Sequence, residues 1–285
     1  MRKLEGLPSV TLFVLLLGVP SARADSDFAF RLVKTPDASD SSKPATLAYQ
    51  HDDGGKSDYV TEGAVKVDKD FGPGNRYTFS PSVSWNHNTL ASTVTDNWSY
   101  TAGLVHQVPV GQESNLTFSG SVGEQRDATK SSNATVVKLG ASWIGWPRWK
   151  REGTTDFAEL VPTLTAFTTH VSQAKADATT GIVPVGTMNG GLLALNGQAQ
   201  LGRWTLNACA QYLRTTDVVN GDKKGGHHLD TVFVGYQFVD PPRTKQELAA
   251  ASWVPGIALS RQSGDDPLNA IANSKYTQLA LTLKY

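Results

Sequence analysis

The chain has 285 residues, with 26 basic and 26 acidic side chains, 39% hydrophobic residues and one cysteine. A chain without net charge has no global field to draw in nucleic acid, and a lone cysteine excludes an internal disulfide, so stability must come from burial and hydrogen bonding. The length suits one large β domain or two ordinary ones, and the absence of a proline-rich or charge-rich linker after residue 44 favours one.

Residues 1–24 read as an export signal: Arg2 and Lys3 form the positive start, Thr11 to Val19 the apolar run, and Ala22-Arg23-Ala24 the small-residue cleavage site. Removing it takes Arg2, Lys3 and Arg23 against Glu5, leaving 23 basic and 25 acidic side chains. The apolar run is shorter than the roughly 20 residues a spanning helix needs. Residues 25–43 follow as a tether in which Phe28 to Val33 alternates briefly before a Pro, Ser and Asp-rich break. From there, residues 44–285 are expected to form one domain.

That domain is a procession of alternating runs separated by turn chemistry, the pattern of strands with unlike solvents on their two faces. In order, the apolar faces are Ala45-Leu47-Tyr49, Tyr59-Thr61-Gly63-Val65-Val67, Tyr77-Phe79-Pro81-Val83-Trp85, Trp98-Tyr100-Ala102-Leu104, Leu116-Phe118-Gly120-Val122 and Val137-Leu139-Ala141-Trp143. The second half continues with Leu160-Pro162-Leu164-Ala166, Leu193 to Leu201, Trp204 to Tyr212, Val232 to Phe238, and Trp253-Pro255-Ile257-Leu259. Pro81, Pro162 and Pro255 should each mark a strand end or bulge, because a paired strand cannot spare its N–H. The last run sets Leu279, Leu281, Leu283 and Tyr285 against Gln278, Ala280, Thr282 and Lys284.

This terminal stretch, alternating and ending on an aromatic, resembles the closing strand of Gram-negative outer-membrane β-barrel proteins. The resemblance implies a transmembrane antiparallel β-barrel, an outer-membrane location in a Gram-negative bacterium, lipid contact all round, and recognition of the last strand by the barrel-assembly machinery. The runs number about twelve, an even count; promoting Phe28–Val33 and Ile182–Thr187 gives fourteen. Aromatics cluster at run ends, and the mean hydropathy is slightly negative, as expected where apolar and polar residues alternate. The connections expected outside, such as 86–95, 169–190 and 262–274, are longer on the whole than those expected inside, such as 108–114 and the Gly202-Arg203 turn. Residues 244–251, after Pro241-Pro242, read as a short capped helix.

The faces opposite the apolar runs indicate what the barrel encloses. Thr78, Ser80, Ser82 and Ser84, with Asn115, Thr117, Ser119 and Ser121, are small and polar and predict a wet lumen. Glu62, Lys66, Asp68, Lys138 and Lys284 are the charged candidates for its lining, either orienting solutes or pairing with one another and plugging the passage. Trp85, Trp98, Trp143, Trp146, Trp149, Trp253 and Tyr285 are expected at the membrane interface, the densest patch being Trp143 to Arg151. The expectation is a channel passing small hydrophilic solutes, without cofactor, metal or nucleic acid. Two alternatives stand beside it. His170-Val171-Ser172 is similar to the His-x-Ser of outer-membrane phospholipase A and the lipid A deacylases, which implies lipid hydrolysis with Ser172 as nucleophile and His170 as base. Here Ser172 lacks the following Asn-Gly, and 181–184 supplies no Asn to orient the histidine. The other alternative is a closed barrel serving structure or adhesion.

Overall fold

The computed structural model describes residues 28–33, 45–52, 57–88, 95–111, 114–128, 132–145, 147–154, 156–174, 185–217, 225–240, 254–266 and 271–284. The export signal and the short helix read from the sequence lie outside them. The strands are β1 (Phe28–Val33), β2 (Ala45–Asp52), β3 (Ser57–Phe71), β4 (Tyr77–Asn88), β5 (Thr95–Pro109), β6 (Asn115–Asp127), β7 (Ser132–Ile144) and β8 (Arg148–Lys150). The second half adds β9 (Phe157–Gln173), β10 (Gly186–Leu201), β11 (Trp204–Asp217), β12 (Gly226–Gln237), β13 (Val254–Asp266) and β14 (Ile271–Lys284).

Every pairing in the sheet is antiparallel. Apart from β1 and the three-residue β8, each strand pairs with the strands before and after it, β7 meeting β9 directly, and β14 returns to β2 with Leu281 opposite Leu47. Twelve strands lie on this circuit, which leaves no end strand open to another chain. Of the two segments behind the fourteen-strand count, Phe28–Val33 is a strand, β1, but adds no further place to the circuit. β1 pairs with Ala64–Lys69 of β3, while β2 pairs with Ser57 and with Val60–Glu62 among others on the same edge, so β1 and β2 share one place in the wall. The described part of 182–187 is the start of β10 rather than a separate strand.

Strands of 12 to 17 residues in β3–β7 and β9–β14 exceed the roughly 9–11 a tilted strand needs to cross a bilayer. They run out into the connections, so 86–95 shrinks to 89–94 and 262–274 to 267–270. The length contrast between the two ends expected from the sequence is therefore absent, since the end with the Gly202-Arg203 turn also carries 145–156 and 238–253. We call that end the turn end and the other the loop end.

The prolines sit where a ladder is interrupted or begins. The β3–β4 ladder runs to Lys66 opposite Ser82 and resumes at Lys69 opposite Phe79, skipping Pro81. The β7–β9 ladder stops at Ser142 opposite Thr163, and β8 pairs only from Glu159 onward toward Phe157, so Pro162 falls in the gap between two partners. Pro255 is the second residue of β13.

Alternation along each strand becomes an exposed and a sheltered face. Leu139, Leu164, Leu281, Leu193 and Leu259 are 64%, 61%, 61%, 57% and 53% exposed on the outer face. An apolar band this extensive, running around the wall, fits hydrocarbon rather than water. Aromatics border it at both ends. Phe71, Tyr77 and His106 stack in series at the turn end, where Tyr236 also meets Trp204 at a tilt and Phe238 edge-on. Toward the loop end stand Trp85 against Trp98, their centroids 6.4 Å apart, with exposed Tyr49, Tyr100 and Tyr212. The β10–β11 turn uses Gly202 at φ 57°, and Asp156 accepts the Gly202 amide at 2.7 Å. Next to it Arg203 bridges to Asp240 at 2.7 Å, and that hydrogen bond holds the guanidinium proton above its already high pKa.

Candidate functional site

The sheltered face is the one the wall encloses, and β3 carries its densest charge. Glu62, Lys66 and Asp68 fall on one face, with Lys66 and Asp68 only 6% and 7% exposed. Lys66 Nζ lies 3.3 Å from Asp68 Oδ1, and the Ser80 hydroxyl of β4 donates to the same carboxylate oxygen. An i, i+2 pair along one strand lies flat against the wall and does not reach across the lumen. On β4, Thr78 donates to Asp70 at 2.6 Å, Ser82 sits opposite Lys66, and the Ser84 and Ser99 hydroxyls share a hydrogen bond. Asn115, Thr117, Ser119 and Ser121 share the inner face of β6, Thr117 buried and the others half-buried. Lys138 is half-buried on β7, in register with Ser121 and Phe167. The side chain of Lys284 lies outside the described residues.

Two inner clusters have no counterpart among the sequence expectations. Glu159, buried near the turn end of β9, accepts a hydrogen bond from the Gln198 amide and faces Arg148 at 3.6 Å. Arg148 also lies over the Phe157 ring, 5.1 Å from its centroid. The second cluster is apolar: Phe167 of β9, Met188 of β10 and Leu213 of β11 pack together at 5%, 6% and 1% exposure, joined by Val136, Val171 and Leu192. Each alternates with the outward residues named from the sequence, so strand parity was the signal that could have found them.

On the outer face, Trp85, Trp98 and Trp143 are buried or half-buried and Trp149 is 52% exposed; Trp146, Trp253 and Tyr285 lie outside the described residues. His170 and Ser172 both face outward near the loop end and are exposed. His170 Nδ1 is 3.0 Å from Thr187 Oγ1 of β10, whereas Ser172 donates to the Asn133 carbonyl at 3.3 Å. The hydroxyl is thus engaged with backbone rather than with the histidine. His227 and His228 fall on opposite faces, as adjacent strand residues must, and no group of three His, Cys, Asp or Glu gathers among the described residues. Cys209 is half-buried on the inner face of β11 and is in no disulfide.

No protein-family model matches the chain, and no curated protein does. Among solved structures, that of the NanC porin is similar over 85% of this chain and 98% of its own, at 9% sequence identity and a TM-score of 0.45.

Proposed function

We propose that the protein is an outer-membrane channel whose hydrated lumen passes small hydrophilic solutes. The observation that carries this reading is the contrast between the two faces of the wall: small polar side chains, Thr78, Ser80, Ser82 and Ser84 on β4 and Asn115, Thr117, Ser119 and Ser121 on β6, lie on the enclosed side, opposite the exposed apolar band.

The cluster of Phe167, Met188 and Leu213 favours a second reading, a barrel closed from within and serving structure or adhesion. Planar bilayers separate the two. The channel should give stepwise conductance, and correctly folded protein that leaves the bilayer silent would transfer the case to the closed barrel.

A further inference from the structure

We infer that the β10–β14 side of the lumen carries a binding site for uncharged saccharides. From Gly190 to Gln200, Thr205 to Thr215, Leu229 to Gln237, Gly256 to Gln262 and Tyr276 to Thr282, no inward side chain is Asp, Glu, Lys or Arg. Inner charges such as Lys66 and Asp68, Lys138 and Glu159 stand on β3, β7 and β9 instead. The neutral side bears carboxamides: Asn196, Gln198 and Gln200 at successive inner positions of β10, Gln211 on β11 and Gln237 on β12, all half-buried.

Wetting alone does not require amides. The inner face of β4 uses Thr78, Ser80, Ser82 and Ser84, whereas Asn is depleted from strands and a held Gln gives up rotamer freedom. A carboxamide offers two donors and an acceptor oxygen on one arm, the complement of neighbouring hydroxyls that each donate and accept. Partners in the wall fix two of these arms: Gln198 donates to Glu159, and Gln200 accepts from the Thr205 hydroxyl at 2.9 Å. Arms already held lower the ordering cost of binding. Phe233 supplies an apolar element. A Cβ on Gly235 would stand 2.9 Å from its ring, so the ring lies along the wall, half-buried and in register with Asn207 and Ser260. A flat ring among amides suits a pyranose, whose C–H face is apolar and whose rim carries hydroxyls. Glu159, the carboxylate bordering this side on β9, already faces Arg148 at 3.6 Å. A charged sugar therefore gains no counter-ion here to offset its desolvation.

The inference deepens the channel reading and rests on it for access to the lumen, but binding is measured without conduction. The full chain, folded in detergent micelles, is titrated calorimetrically with maltotriose, trigalacturonate and triglucosamine, which are neutral, anionic and cationic. Maltotriose should bind most tightly. Asn196→Ala and Phe233→Leu should each weaken it by about fivefold, the factor that one lost contact of this size carries. Thr231→Asp, which sets a charge on the inner face of β12, should turn the preference toward triglucosamine. Equal or tighter binding of a charged trisaccharide by the intact chain would overturn the site, as would full maltotriose affinity in the Asn196→Ala, Phe233→Leu double variant. Planar bilayers are read alongside. Maltotriose binding in a barrel that stays silent sinks only the transport reading, and a conducting barrel without preference among the three sugars sinks only this one.

Discussion

At the scale of single residues, the consequential choices are which polar groups face inward and what each finds there. Lys66 and Asp68 are nearly as sheltered as core residues, so neither tolerates losing the other. Lys66→Met should cost about 3 kcal/mol by taking the ammonium from beside a buried carboxylate, whereas Lys66→Met combined with Asp68→Leu should recover most of that loss. Urea unfolding in vesicles reads the difference, and additive losses would show that the two do not act as a pair. Ser172 presents the opposite case. Its hydroxyl is spent on the Asn133 carbonyl, so Ser172→Ala should leave both stability and any background hydrolysis of a phospholipid substrate unchanged. Hydrolysis that vanishes in this variant would revive the catalytic reading of His170 and Ser172.

At the scale of elements, close approach between strands makes one glycine decisive. A Cβ on Gly190 of β10 would stand 2.5 Å from the Phe167 ring and 2.6 Å from the Arg214 carbonyl. One neighbour is a packed aromatic and the other is backbone, so neither can move cheaply. Gly190→Ala should therefore lose about 2 kcal/mol through overpacking, and Gly190→Ala with Phe167→Leu should recover only the ring's share. How far such an element is legible in sequence depends on the solvent it meets. Outward residues such as Leu139, Leu164 and Leu259 were readable because hydrocarbon accepts only apolar side chains, so every alternate position repeats the same signal. The inner faces of β4 and β6 alternate just as regularly, with Ser80 donating to the Asp68 carboxylate and Ser82 opposite Lys66. β9 was not readable: its inner face runs Glu159, Val161, Thr163, Thr165, Phe167, and a position whose neighbours are set by β7, β10 and β11 has no local pattern to betray it. Strand ends were misjudged for a related reason, because the polar residues that end a membrane crossing, such as Asn86 and Gln262, do not end the ladder.

At the scale of the whole molecule, the wall is continuous only because its first strand is composite. Along one edge of β3, β2 covers the stretch from Ser57 to Glu62 and β1 the stretch Ala64–Lys69, with residues 34–44 between the two pieces. β1 also lies beside β14, so it fills the turn-end half of the same seam. Its contribution is that of a paired backbone, and backbone left unpaired in a lipid-facing wall has no substitute partner. Deleting residues 28–33 while keeping the preceding segment should strip six residues of β3 of their partner on that side. At about 1 kcal/mol for each of the six or so hydrogen bonds lost, the barrel would be weakened by several kcal/mol. It would also acquire a gap on one side of the turn end. The expected result is a lower urea midpoint together with larger and noisier conductance steps than the intact chain gives. Replacing 28–33 by an unrelated alternating Thr and Val sequence should restore both, since pairing and not side-chain identity closes the wall. A deletion that leaves midpoint and step size unaltered would mean that the twelve-strand circuit is sealed at the turn end without β1.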